Sequence, residues 1–351
     1  MNANGMSDVV RCSLTRSSGV ARARASAREV GARDGARARA SADARVEAFA
    51  TRDGVELEVI SRRARDTNEN KKNKPAIVFI HGSYHAAWCY EEHFAPYFAS
   101  RGYDTRSVSL RAHGNSGVSS SSASAGTLAS HAEDVNEILS FERARANDEG
   151  RPWPCIVGHS FGGLVTQRAL APSDGERRAS AAVLLASVPP TGNAGMVRRF
   201  LMRDLFASAK ITYAFATKAF GTNVNLCRDC FFSSDLADAD VERFARAINQ
   251  SSRLRMFDLR ALNAKELPVP KPTGANADVP VLVLGGDADF VVDAEGLEET
   301  ARHYATDGRP VVLPNTAHDV MLDTRWIVAA KTIEKFIENN VLYGEDRRLL
   351  G

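Results

Sequence analysis

The chain has 351 residues, 44% of them hydrophobic and 25% charged, with a formal net charge of +2, the balance of a globular protein rather than a fibrous or disordered one. That length fits one large α/β domain or two smaller ones, and the longest apolar runs, such as residues 181–188, are far too short to span a bilayer.

Residues 1–45 stand apart from the rest. They carry nine arginines, no lysine and four acids, a net of +5, whereas residues 46–351 hold 36 basic and 39 acidic residues, a net of −3. A nucleic-acid role needs a basic face on the folded part, and this composition offers none. A segment rich in Arg, Ser and Ala and poor in aromatics builds no core. It predicts an organelle transit peptide, chloroplast ahead of mitochondrion. The alternatives are a basic arm, or initiation at Met6 and a cytoplasmic protein. No apolar h-region follows the charges, which argues against secretion.

"VEAFATRDGVELEVIS" (46–61) predicts two strands hinged at Asp53-Gly54, a hairpin signal. A polar, lysine-rich linker follows. Strand and helix then alternate: the strand "AIVFI" (76–80), a helix through "EEHFAPYFASRG" that stops at Gly102, and the strand "TRSVSL" (105–110). Next come a helix through "LASHAEDVNEILSFERARA", with apolar spacing of three and four, the strand "CIVG", a helix from Phe161 and the strand "AAVLLAS". From Val188 to about Val279 the alternation breaks, and helical patches without a buried strand predict an inserted helical subdomain. It resumes with "VPVLVLGG" (279–286), a helix from Ala294 to Tyr304, the strand "PVVLP" and a last helix from about Met321 to Asn340. The expected fold is α/β, a mostly parallel sheet with helices on both faces. The expected division is a leader over 1–45, a core over 46–187, a cap over 188–279 and the rest of the core over 280–351.

Gly158-His159-Ser160-Phe161-Gly162 is a G-x-S-x-G between a buried strand and a helix, the setting in which this motif is informative. A serine on so sharp a turn projects its hydroxyl from the sheet edge. Gly158 and Gly162 remove the Cβ atoms that would collide with neighbouring backbone, and the helix N-terminus offers N–H groups to a developing oxyanion. The hydroxyl needs a base and the base needs an orienting acid. His318, in "LPNTAHDVML" after the last strand, can reach back over the sheet's carboxyl edge. Asp287, Asp289 and Asp293, in "VLVLGGDADFVVD", are the candidate acids. The chain order is Ser, Asp, His.

With these motifs in view, residues 46 to 342 resemble the α/β-hydrolase fold superfamily of esterase- and lipase-like proteins. "FIHGSYHAAWCY", "RAHGNSG", "GHSFGG" and the pair "GGDADFVV" and "AHDVML" carry the resemblance. It implies that the acid stands three positions after the strand-ending glycine, on Asp289, with Asp287 as the runner-up. Some members place the acid after the strand preceding the insertion, but that position reads Ser187-Val188-Pro189-Pro190, without a carboxylate. The resemblance also implies an oxyanion hole from the backbone N–H groups of Ser83 and Phe161, with Tyr84 as the alternative to Ser83. "HGSYHAAWCY" further resembles the plant methylesterase and hydroxynitrile lyase group, over that one loop. The implied activity is ester hydrolysis of a small apolar substrate by a serine hydrolase with no cofactor and no metal. A receptor, lyase or transferase on the same scaffold is the rival, since fold alone does not decide function.

The remaining signals weigh less. His81, His85 and His93 lie across a loop with no carboxylate or cysteine set at ligand spacing, so they are expected to shape the loop rather than bind metal. Five scattered cysteines form no disulfide framework, and Cys227-Arg-Asp-Cys230 is a lone CxxC for which local packing is the simpler account. The Phe-, Leu- and Met-rich stretches of the insertion either line an apolar pocket or form the insertion's own core.

Overall fold

Mostly apolar runs become the inner strands of a single eight-stranded sheet in the computed structural model, which describes residues 44–64, 74–118, 123–171, 176–305 and 308–342. The segment expected to be a leader lies outside the described residues except for its last two, which already belong to the first strand.

That strand, β1 (Ala44–Ala50), pairs antiparallel with β2 (Glu56–Arg62). The turn between them uses Gly54 at φ 84°, and Thr51 Oγ1 donates to Asp53 at 2.6 Å, so the hinge falls where the Asp-Gly pair predicts. The other strands are β3 (Ile77–Ile80), β4 (Thr105–Val108), β5 (Cys155–His159), β6 (Ala181–Leu185), β7 (Val281–Gly286) and β8 (Val311–Leu313). Their spatial order is β1-β2-β4-β3-β5-β6-β7-β8, with the β1–β2 and β2–β4 pairs antiparallel and all others parallel.

Period-two alternation sorts each inner strand between two apolar layers. Ile77 and Phe79 face one layer with residues of α1 (Trp88–Glu91) and α2 (Phe94–Ser100); Val78 and Ile80 face the other with α3 (Leu128–Glu149) and α4 (Phe161–Leu170). Both faces of the central parallel strands are thus covered, which is why β3, β6 and β7 read as continuous apolar runs. The helix predicted through residues 91–102 divides at Glu92-His93 into α1 and α2. A capping box between Thr127 and Ser130 starts α3, and Gly150 at φ 63° ends it.

Between β6 and β7 lie only helices: α5 (Ala194–Arg203), α6 (Leu205–Thr217), α7 (Val224–Phe231), α8 (Asp238–Ser251) and α9 (Leu259–Lys265), apart from short 3₁₀ turns. This is the inserted helical region that the break in alternation predicts. α10 (Ala294–Tyr304) packs with the α3–α4 layer and α11 (Trp326–Ile337) with the α1–α2 layer. The last helix starts at Trp326 rather than near Met321. The cause is Asp323, whose carboxylate accepts from the N–H groups of Ala317 at 2.8 Å and Thr324 at 2.9 Å, and from the Ser233 hydroxyl. Those bonds hold residues 317–324 as a folded loop instead of a helical turn.

Candidate active site

β5 delivers Ser160 to the carboxyl edge of the sheet, and α4 carries the chain away from it. At φ 54° and ψ −123° the residue occupies a region that costs an L-amino acid roughly 1–3 kcal/mol. Surrounding packing enforces the strain. A Cβ on Gly158 would sit 2.5 Å from the Gly162 carbonyl oxygen, and one on Gly162 would sit 2.2 Å from that of His81. Both glycines therefore let α4 approach β5 and the β3 end closely enough to make the turn. Gly82 answers the same need opposite, because a Cβ there would lie 2.7 Å from that of Ser160.

His318 follows β8 and meets Asp289, which follows β7: the ring Nδ1 lies 2.8 Å from Asp289 Oδ2. The second carboxylate oxygen accepts from the N–H groups of Val291 at 2.6 Å and Val292 at 2.9 Å. Backbone thus fixes the carboxylate, and the carboxylate fixes the ring through Nδ1, leaving Nε2 as its remaining nitrogen. Asp287 is exposed and makes no hydrogen bond to His318, while Asp293 caps α10 at the Gly296 N–H and pairs with Arg199 at 2.6 Å. Of the three acids considered, Asp289 is the one that holds the histidine.

All these groups open on one cavity of about 780 Å³, within the usual range of small-molecule sites of roughly 300–1,000 Å³. Ser160, Asp289, His318, Ser83, Tyr84 and Phe161 line it. The inserted helices add apolar wall through Phe200, Ile211, Phe215 and Phe231, and Met256 and Phe257 close another side. Phe161 opens α4, so its N–H has no acceptor within the helix and lies at the helix's positive end.

Burial is the largest influence on His318 and pushes its pKa down. The Asp289 charge and hydrogen bond, with the Asp319 charge beside them, outweigh it, and the pKa ends above the ordinary imidazole value of 6.5. Three other buried rings go the opposite way. Burial, helped by the nearby His318, lowers His159 to about 3, and burial lowers His113 to about 4 and His81 well below 6.5. His81 is a neutral spacer: its Nδ1 donates to the Gly82 carbonyl at 2.7 Å and its Nε2 accepts from the Leu110 N–H at 2.9 Å. His93 stacks on Trp326 with centroids 4.5 Å apart.

His85 is the member of that loop with more to do. Its Nε2 lies 2.8 Å from Asp319 Oδ2 and its Nδ1 donates to the Ser83 carbonyl at 2.9 Å. His159 Nε2 donates to the His318 carbonyl at 3.0 Å and stands 3.7 Å from Asp319 Oδ1. A fully buried carboxylate thus joins the loop carrying Ser83 to the loop carrying His318. Sequence reasoning missed this cluster; the available signals were the acid directly after His318 and the histidine two residues after Ser83. The CxxC cysteines are free and buried on α7, where burial raises both thiols, Cys230 to about 12.

Residues 77–330 match the sequence profile of the Alpha/beta hydrolase family. The chain belongs to that family. Solved α/β hydrolases share its fold at low identity. A soluble variant of monoglyceride lipase from Saccharomyces cerevisiae, in complex with a substrate analog, superposes with a TM-score of 0.63 at 15% identity over 86% of this chain and 97% of that one. An esterase from Exiguobacterium antarcticum gives 0.58 at 16% over 83% and 98%, and a putative aryl esterase from Burkholderia cenocepacia 0.57 at 20% over 84% and 99%. No curated protein matches this α/β hydrolase in sequence.

Proposed function

We propose that the protein is a serine hydrolase that cleaves carboxylic esters of small apolar substrates through an acyl-enzyme on Ser160. The observation that carries this reading is the 2.8 Å bond between His318 Nδ1 and Asp289 Oδ2 in the cavity that also holds the strained elbow serine. Ser160 Oγ attacks the ester carbonyl carbon and its proton passes to His318 Nε2, while Asp289 keeps the ring in the required tautomer and stabilises the imidazolium. The carbonyl oxygen becomes an oxyanion held by the N–H groups of Phe161 and Ser83, with Tyr84 as the alternative second donor. Collapse breaks the bond to the alcohol, which takes the proton from His318. Water then repeats the sequence on the acyl-enzyme and frees Ser160. The helices within 188–279 act as the cap, and their Phe residues receive the apolar part of the ester.

Labelling with a fluorophosphonate probe, combined with turnover of acyl esters of graded chain length, tests the proposal. Modification of Ser160 with many turnovers is expected. A single turnover with retained product would sink it in favour of a ligand-sensing role. Residues 1–45 are read as the organelle-targeting segment, chloroplast first, and imaging of a fluorescent fusion in plastid-bearing cells tests that separately.

A further inference from the structure

Six of the eleven exposed large apolar side chains among the described residues fall between Val197 and Tyr213. They concentrate where α5 meets α6: Met202 is 78% exposed, Leu205 64% and Phe206 88%. A soluble surface scatters such residues singly, and a cluster of them marks an interaction site. This cluster runs directly into the cavity. Val197 and Leu201 on α5 are both exposed and line it, as do Leu259 and Phe290 across the opening. The corner is therefore the outer edge of an apolar lip around the site.

Its charge differs from that of the body behind it. Residues 194–217 carry four basic groups, Arg198, Arg199, Arg203 and Lys210, against the single acid Asp204, whereas residues 46–351 are net −3. Arg199 and Arg203 reach Asp293, Arg203 also pairs with Glu295, and Lys210 reaches Asp229, so these three cations are paired with acids of the protein itself. Arg198 is exposed and has no acidic partner among the described residues.

We propose that the α5–α6 corner docks on an anionic lipid surface, with Met202, Leu205 and Phe206 inserted at the acyl boundary and the basic side chains at headgroup level. Amphipathic helices bind interfaces through this combination of buried apolar area and attraction to anionic lipid. Continuity with the cavity favours a lipid surface over a protein partner or a second copy. A protein seated on the corner also covers the lip and closes the entrance. A lipid surface instead turns the opening toward the phase in which apolar esters dissolve.

Co-sedimentation of the full chain with vesicles of phosphatidylcholine, with and without phosphatidylglycerol, tests this. The wild type is expected to sediment with the phosphatidylglycerol vesicles. Phe206→Asp with Leu205→Asp is expected to weaken binding about tenfold or more, with circular dichroism unchanged because both side chains point to solvent. Arg198→Ala is expected to weaken binding a few-fold on the anionic vesicles. Four results overturn the proposal. The wild type stays in the supernatant, or it binds phosphatidylcholine alone equally well. The double variant sediments like the wild type, which assigns binding to the arginine-rich residues 1–45. Or the wild type forms a concentration-dependent dimer that Phe206→Asp dissociates, which assigns the corner to self-association. Binding needs no turnover, so failure of the proposed hydrolysis leaves this test intact.

Discussion

His85 Nε2 lies 2.8 Å from Asp319 Oδ2 in the interior, and the same ring donates through Nδ1 to the Ser83 carbonyl 2.9 Å away. Both ring nitrogens face oxygen acceptors, so one side chain ties the Ser83 loop to the Asp319 carboxylate. Asp319 is held below the ordinary carboxylate range: burial, its largest influence, pushes it up, but the surrounding His85, His159 and His318 outweigh that. Asp319→Asn removes the charge while keeping the shape. Because Asp319 does not line the cavity, the expected loss is in kcat with KM nearly unchanged, about 10- to 100-fold from misplacement of the two loops. Steady-state kinetics check the split. A double-mutant cycle with His85→Gln should be strongly non-additive.

The acid limb of the pH–rate profile should lie above the ordinary imidazole value, because the proposed mechanism needs a neutral His318 to accept the serine proton and its pKa is raised. Activity is then lost as pH falls through that raised value. Asp289→Asn removes the main group that lifts it and leaves burial opposed only by the Asp319 charge, so the limb should move to lower pH. The same change should cost kcat on the order of 10⁴-fold through the wrong tautomer. A limb unmoved in the Asn variant would mean that another group titrates.

Ser160→Gly should abolish turnover yet leave a more stable protein. The backbone at φ 54° strains any side chain, and glycine relieves roughly 1 kcal/mol of that. The melting temperature should rise by about 1–2 °C. Ser160→Ala should be equally inactive without the gain, so thermal scans of the pair separate strain from chemistry.

Gly162→Ala should damage the fold itself. The new methyl would lie 2.2 Å from the His81 carbonyl oxygen and 2.5 Å from that of Ile80, both backbone atoms that cannot swing aside. A loss of about 3 kcal/mol is expected, read as a lower midpoint in urea unfolding.

Much of this site was legible in the chain because its parts are local signals at strand ends. The elbow is written in five consecutive residues, and Asp289 and His318 each follow a short apolar run that becomes β7 or β8. Sheet, helices and insertion were legible from periodicity for the same reason. What stayed hidden depends on distance. His85 and Asp319 stand 234 residues apart, and nothing in either neighbourhood names the other. Residues 254–257 wall the cavity without any periodic pattern. The late start of α11 depends on Asp323 capturing Ala317, a loop contact that helical spacing from Met321 onward conceals.

The insertion between β6 and β7 also sets a clock. β6 ends at Leu185 and its parallel neighbour begins at Val281. At ribosomal rates of about 5–20 residues per second, the outer edge of β6 waits roughly 5–20 s for its partner. Throughout that interval a wholly apolar strand presents bare backbone donors and acceptors to any other nascent chain, the condition under which sheets join wrongly. Helices folding early along the insertion can screen that edge, so cotranslational yield should depend on the insertion's own stability as much as on the sheet's.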